Sequence, residues 1–252
     1  MIDRPDEYRL MALAEGFHWW YKTLHMKCLE VLNLNCIGSE IKILDAGCGT
    51  GGLMAFLKDC GYLDIEGFDL SETGVSYCLS RGLHVWQQDL NALNVDFNGK
   101  YYDAIFSCDT LCYLSEEESR IFFDNCHNML NIGGLLVVNI PALQAFSGIH
   151  DIAVGIRQRL VRKEMLNLFD SNKYKVVQNE YWPFILSPLV YVVRLFQRVR
   201  LKTRRVSKIQ SDVKSPTKWI NWLFFILCRF EQKYIASIAP FGSSIFLVLR
   251  KK

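Results

Sequence analysis

Residues 41–52 read IKILDAGCGTGG. An apolar, β-branched run leads to an acid, Asp45, and then to glycines at alternate positions. That is how a buried strand ends in a turn that brings main chain close to a ligand. Two templates fit. Gly47, Gly49 and Gly52 have the GxGxxG spacing of a dinucleotide turn, whereas Asp45 with Gly47, Gly49 and Gly51 reads DxGxGxG. The string alone leaves its ligand open.

Outward from this turn, short apolar runs alternate with helix-like stretches: GLMAFLKDCG, IEGFDLS, ETGVSYCLSRG, LHVWQQDL, YYDAIFSCD, SEEESRIFFDNCHNML and GGLLVVNIP. The apolar runs are too short and too β-branched for helices, so the chain from Ile41 to Pro141 predicts an α/β, doubly wound and mostly parallel sheet. Gly61, Gly82 and Gly133 stand where helices should stop. Ser71 and Ser115 stand where helices should start, and Glu118 completes a capping box with Ser115. A helix over about 161–169 then leads to a strand at 174–181, and the chain closes in a strand at 243–250. The sixty residues between those two strands predict an inserted helical module, because structureless connections of that length are uncommon.

The 252 residues carry a net charge of +3, which hides an asymmetry. From Tyr181 onward there are fourteen basic residues against two acids, Asp212 and Glu231, while the first 180 residues hold fifteen basic and twenty-four acidic side chains. A basic module is joined to an acidic one. Nine cysteines without a CxxC pair argue against a disulfide framework and against a zinc site, so no metal is expected. The start, MIDRPDEYRL, lacks a secretory pattern and predicts a cytosolic protein.

Downstream acids separate the two glycine templates. Asp69 ends the second apolar run, where a carboxylate can accept both ribose hydroxyls. Asp89 follows the third run, where a carboxylate can accept from an adenine amine. A dinucleotide enzyme has no need of that third acid. Each acid could instead cap the helix that follows it, but three at the carboxyl ends of successive strands point to a ligand.

The ordered set ILDAGCGTGG, FDLS, QQDL, YDAIFSCDTLCYL and NIGGLLVVNIP, over roughly residues 41–141, resembles the successive motifs of class I S-adenosylmethionine-dependent methyltransferases. The resemblance implies S-adenosylmethionine as cofactor and a sheet closed by an antiparallel seventh strand. It places Gly47, Gly49 and Gly51 at the methionine part, Asp69 with Leu70 at the ribose, Asp89 and Leu90 at the adenine, and Asp45 and Cys108 in the same site.

More loosely, HWWYKTLHMKCLEVL near the N-terminus, FSGIHD at 146–151 and the following RQRLVRKEM resemble a subgroup often found in surface-glycan and glycolipid biosynthesis. This chain departs from that subgroup where Gln158, Arg159 and Leu160 replace paired basic residues before a tyrosine, and where Cys112 replaces a histidine. His150 is the candidate base for a hydroxyl acceptor, with Asp151 orienting it or binding substrate. Trp20, Tyr21, Tyr113 and Arg159 are candidate acceptor contacts. His18 to Tyr21 form either a lid or a helix packed on the sheet.

The organisation expected is an N-terminal helical segment or lid over 1–40, a core of 41–181 with 243–252, and a basic helical insertion over 182–242. Two prolines and short length keep YWPFILSPLVYVV from spanning a bilayer. The insertion suits either an anionic membrane surface on the cytoplasmic side or an acceptor-binding cap whose basic face is solvated. Nucleic acid is disfavoured, since no recognition signature accompanies the charge. The leading function is methyl transfer to a hydroxyl of a sugar, lipid-linked glycan or related small metabolite. The alternatives are an RNA or protein acceptor, and a cofactor-binding partner subunit without catalysis.

Overall fold

The computed structural model describes residues 5–35, 38–92, 99–203 and 216–252. Cys36, Arg204 and Arg205 therefore lie outside the described residues. Two helices, α1 (Pro5–Ala14) and α2 (Trp19–Asn35), precede the sheet. The alternation then runs β1 (Ile43–Ala46), α3 (Gly52–Asp59), β2 (Ile65–Asp69), α4 (Glu72–Ser80), β3 (His84–Gln87), β4 (Tyr102–Cys108), α5 (Glu116–Met129) and β5 (Leu130–Pro141). Short helices α6 (Ile149–Val154) and α7 (Arg162–Leu166) lead to β6 (Tyr174–Trp182). Helices α8 (Ser187–Thr203) and α9 (Lys218–Tyr234) follow, before β7 (Ser244–Lys251).

The seven strands form one sheet in the order β3-β2-β1-β4-β5-β7-β6. Strands β1 to β5 are parallel, and β7 runs antiparallel to both β5 and β6. This is the sheet the sequence predicts. Successive side chains feed opposite faces: Leu44, Ala46 and Ile105 enter one apolar cluster, Ile43, Ala104 and Phe106 the other. Burial on both faces is why these strands read as unbroken apolar runs. The order reverses between β1 and β4, which opens a crevice at their carboxyl ends.

Local signals behave as their chemistry dictates, with one exception. Ser71 Oγ accepts from Gly74 N at 3.2 Å, and Ser115 makes both halves of a capping box with Glu118. Gly61 and Gly82 follow helix ends with φ of 98° and 70°. Gly133, expected to stop α5, lies inside β5 instead. Its φ of 79° serves an irregularity where the partner register jumps from Leu130 to Leu135. The helix expected over 161–169 is shorter, Arg162–Leu166.

The segment between β6 and β7 is tied to the core by buried polar groups. The Glu231 carboxylate, 2% exposed, accepts from Phe184 N and Ile185 N at 2.7 Å each. Lys27, also 2% exposed, pairs with Glu180 at 3.2 Å and lies over the Phe246 ring. Asn221 on α9 accepts from Trp19 N and donates to Phe17 O, both at 2.8 Å, so α9 caps the start of α2.

Candidate active site

A cavity of about 460 Å³ opens at the reversal between β1 and β4. Its floor is the glycine turn after β1 and the loop after β4. Tyr8, Met11 and Glu15 from α1 and its end, with Trp19, Trp20 and Tyr21 from α2, cover one side. Leu189, Val193, Arg194 and Phe224 from α8 and α9 wall another.

Gly47, Gly49 and Gly51 have φ of 84°, 57° and 83°, the left-handed region, whereas Gly52 begins α3. Gly47 N and Cys48 N both donate to Phe68 O at 2.9 Å, folding the turn back over β2. A Cβ on Gly47 would run into the Thr110 side chain.

Asp69 stands at the end of β2, buried, beside this turn. Its Oδ2 accepts from Gly49 N at 2.8 Å, and its Oδ1 accepts from Ser71 N at 2.9 Å and from the Tyr8 hydroxyl at 3.0 Å. Asp45, 2% exposed, lines the cavity too, and burial, then Asp69 and Glu15, push its carboxyl up to about 7. Glu15 accepts from Thr50 Oγ1 at 2.8 Å and pairs with Arg81, fastening the end of α1 to the glycine turn. Burial also raises Glu15.

Asp89, Leu90 and Leu70 lie off the cavity wall. Strand β3 ends at Gln87, and the Asp89 carboxylate accepts from Asn91 N at 2.9 Å, capping the turn that follows. Leu90 approaches Gly47 from behind the turn. Leu70 is 47% exposed.

The cavity is also lined by Cys108, Asp109, Tyr113, His150 and Arg159. Asp109 directly follows β4 with φ of 58°, a strained choice for a residue with a side chain. Its carboxylate accepts from Asn139 Nδ2 at 3.0 Å, and Asn139 Oδ1 accepts from Trp182 Nε1 at 2.8 Å. Burial pushes Asp109 up to about 7, opposed by Asn139 and by the charge of Arg159.

Arg159 itself is largely committed. Its Nε and Nη2 donate to Asp151 at 2.6 and 2.9 Å, and Nη1 donates to Ala142 O at 3.0 Å. Asp151 therefore fixes Arg159 across the end of β5. His150, the candidate base, lies in α6. Trp20 stacks on Trp182 with centroids 5.6 Å apart. Burial holds the Tyr21 and Tyr113 hydroxyls well above their ordinary range, with nearby carboxylates adding to it. Burial likewise lowers His18 and His25 to about 4, so both rings are neutral.

The model of a methyltransferase domain family matches residues 43–134, the span that builds the floor of this cavity. A Geobacillus sp. (strain WCH70) protein, whose name carries methyltransferase as a provisional assignment, is 32% identical over 156 residues, covering 56% of this chain and 62% of that one. The chain thus matches less than two thirds of that relative's length. Two solved structures share the fold. A SAM-dependent methyltransferase from Archaeoglobus fulgidus superposes with a TM-score of 0.59 at 15% identity, over 92% of this chain and 94% of that one. Another from Clostridium acetobutylicum superposes with a TM-score of 0.56 at 14% identity, over 92% of each chain. Residues 43–134 thus match a methyltransferase domain, set in a chain with the fold of S-adenosylmethionine-dependent methyltransferases.

The methyltransferase domain's cofactor is S-adenosylmethionine, and the cavity has the chemistry to hold it. The left-handed turn brings main chain to the wall at Gly47 and Gly49, Asp69 presents acceptors, and Asp45 is a buried carboxyl raised to about 7 by burial and by Asp69 and Glu15. Sequence reading missed Tyr8, Glu15 and Asp109 in the methyltransferase domain's site. Tyr8 and Glu15 reach it from a helix far away in sequence. Asp109 carried a signal in being the acid directly after an apolar strand, the pattern used to find Asp69.

Proposed function

We propose that this chain is an S-adenosylmethionine-dependent methyltransferase that methylates a hydroxyl of a sugar, lipid-linked glycan or related small metabolite, in the manner of the glycan-biosynthesis subgroup its flanking motifs resemble. One observation carries the reading: a single cavity is lined both by the glycine turn and by two side chains able to accept a proton, His150 and Asp109. S-adenosylmethionine, when bound, supplies an electrophilic methyl group. The chain's part is to position the acceptor, exclude water and take its proton.

In this reading Asp69, the glycine turn and Cys108 hold the cofactor, while Asp89, Leu90 and Leu70, expected at its adenine and ribose, lie off the cavity wall. His150 takes the acceptor's proton on its imidazole. Asp151 keeps Arg159 in place, and the Arg159 charge favours ionised Asp109. Trp20, Tyr21 and Tyr113 shape the acceptor space. A lipid-linked acceptor would bring residues 182–242 to an anionic membrane surface on its cytoplasmic side.

The test uses methyl-labelled S-adenosylmethionine with a glycolipid extract, a soluble sugar-phosphate pool, and RNA plus protein fractions. Label in the lipid or sugar fraction, lost in His150→Ala, supports the reading. Label confined to RNA or protein overturns the acceptor class.

A further inference from the structure

Helix α9 has two apolar faces. One packs inward through Phe224, Phe225 and Cys228 against α2. The other, Trp219, Trp222, Leu223, Ile226, Phe230 and Tyr234, recurs at intervals of one helical turn, and every member faces solvent. Trp219 is 68% and Trp222 63% exposed. Tryptophan pairs are seldom left to water, because the burial of each ring stabilises by a large apolar area.

The charges on α9 are mainly basic, and the acid beside its outer face, Glu30 of α2, is paired with Arg229. Helix α9 carries Lys218, Arg229 and Lys233, and its single acid, Glu231, is buried under the Phe184 and Ile185 amides. Helix α8 likewise carries Arg194, Arg198 and Arg200 with no acid, Arg194 lining the cavity, and its own Phe196 is 68% exposed. A second copy of the chain would set basic face against basic face. No described helix is long and apolar enough to cross a membrane, so the helices can only lie along one.

We propose that the outer face of α9 docks on an anionic lipid surface, its aromatic rings at headgroup depth and Lys218 and Lys233 on the phosphates. The proposal deepens the methyl-transfer reading by naming the surface where acceptor is met. Phe224 on the inner face of α9 and Leu189, Val193 and Arg194 on α8 wall the cavity. The docked helices therefore also form the wall of the acceptor site.

Vesicles of phosphatidylglycerol with phosphatidylcholine, and vesicles of phosphatidylcholine alone, provide the test, read by co-sedimentation and by tryptophan emission. The wild-type chain is expected to pellet with the anionic vesicles at least about tenfold more strongly than with the neutral ones, with a blue shift that salt reverses. Trp219→Ser with Trp222→Ser is expected to lose the shift and most of the pelleting. S-adenosylmethionine binding should remain, because both residues are exposed and off the cavity wall. Equal pelleting of parent and variant, or none by either, would overturn the proposal. So would a wild-type dimer that the double variant dissolves, since the face would then be self-associating. Calorimetry with S-adenosylmethionine reads the cofactor separately, so failure of docking and failure of the methyltransferase reading are distinguishable.

Discussion

The Tyr8 hydroxyl donates to Asp69 Oδ1 at 3.0 Å, across 61 residues of chain. The carboxylate expected to receive the cofactor's ribose is thus already held by the N-terminal helix, by Gly49 N and by Ser71 N. Tyr8→Phe releases one lone pair to the ribose and is expected to bind S-adenosylmethionine at least as tightly as the parent. Asp69→Ala, which removes a charged acceptor, should weaken it roughly tenfold to a hundredfold. Titration calorimetry of both variants decides. Weaker binding by Tyr8→Phe than by Asp69→Ala would contradict this division of roles.

Acidity offers a second handle. Asp45 and Asp109 are each raised from an ordinary 3.8 to about 7 in the folded chain. The folded state therefore binds more protons than the unfolded state between those values. That contribution to stability is complete below about pH 4 and is lost as pH rises through 7. Thermal melts of the cofactor-free chain are expected to fall between pH 5 and 8, and Asp45→Asn with Asp109→Asn should flatten the slope by up to a few kcal/mol. A cationic cofactor favours the ionised carboxyls, so its binding should release protons near pH 7, measurable as buffer-dependent heat.

Gly47 carries the turn. At φ 84°, with the Thr110 side chain where a Cβ would sit, Gly47→Ala is strained and crowded together. A loss of about 1–3 kcal/mol and abolished cofactor binding are expected from denaturation and calorimetry. Gly61→Ala shares the positive φ but has open space, so it should cost less and leave binding intact.

Glu231 fastens α9 by accepting two main-chain amides while buried. Glu231→Ala leaves both donors unpaired and is expected to cost about 2–5 kcal/mol, seen as a lowered Tm.

Much of this was legible in sequence because parallel strands announce themselves. ILDA, IEGFD and YDAIFSC are buried on both faces and so read as apolar runs. Ser115 with Glu118 marked a helix start for the same local reason. Gly133 misled because a left-handed glycine serves a strand irregularity as well as a helix end. Asp89 had two readings in sequence, a ligand contact and a cap, and its carboxylate caps the next turn. The union of Tyr8 with Asp69 depends on how the N-terminal helix folds over the sheet, and that of Asp151 with Arg159 on how the chain after α6 turns back toward it. Neither has a local periodicity to betray it.

Calorimetric titration of the parent chain with S-adenosylmethionine, beside a nicotinamide dinucleotide control, bears most directly on the central claim. Saturable binding with a Kd of roughly 1–100 μM, abolished by Gly47→Ala and absent with the dinucleotide, is the result expected of this cavity. Binding of the dinucleotide with no heat from S-adenosylmethionine would contradict it.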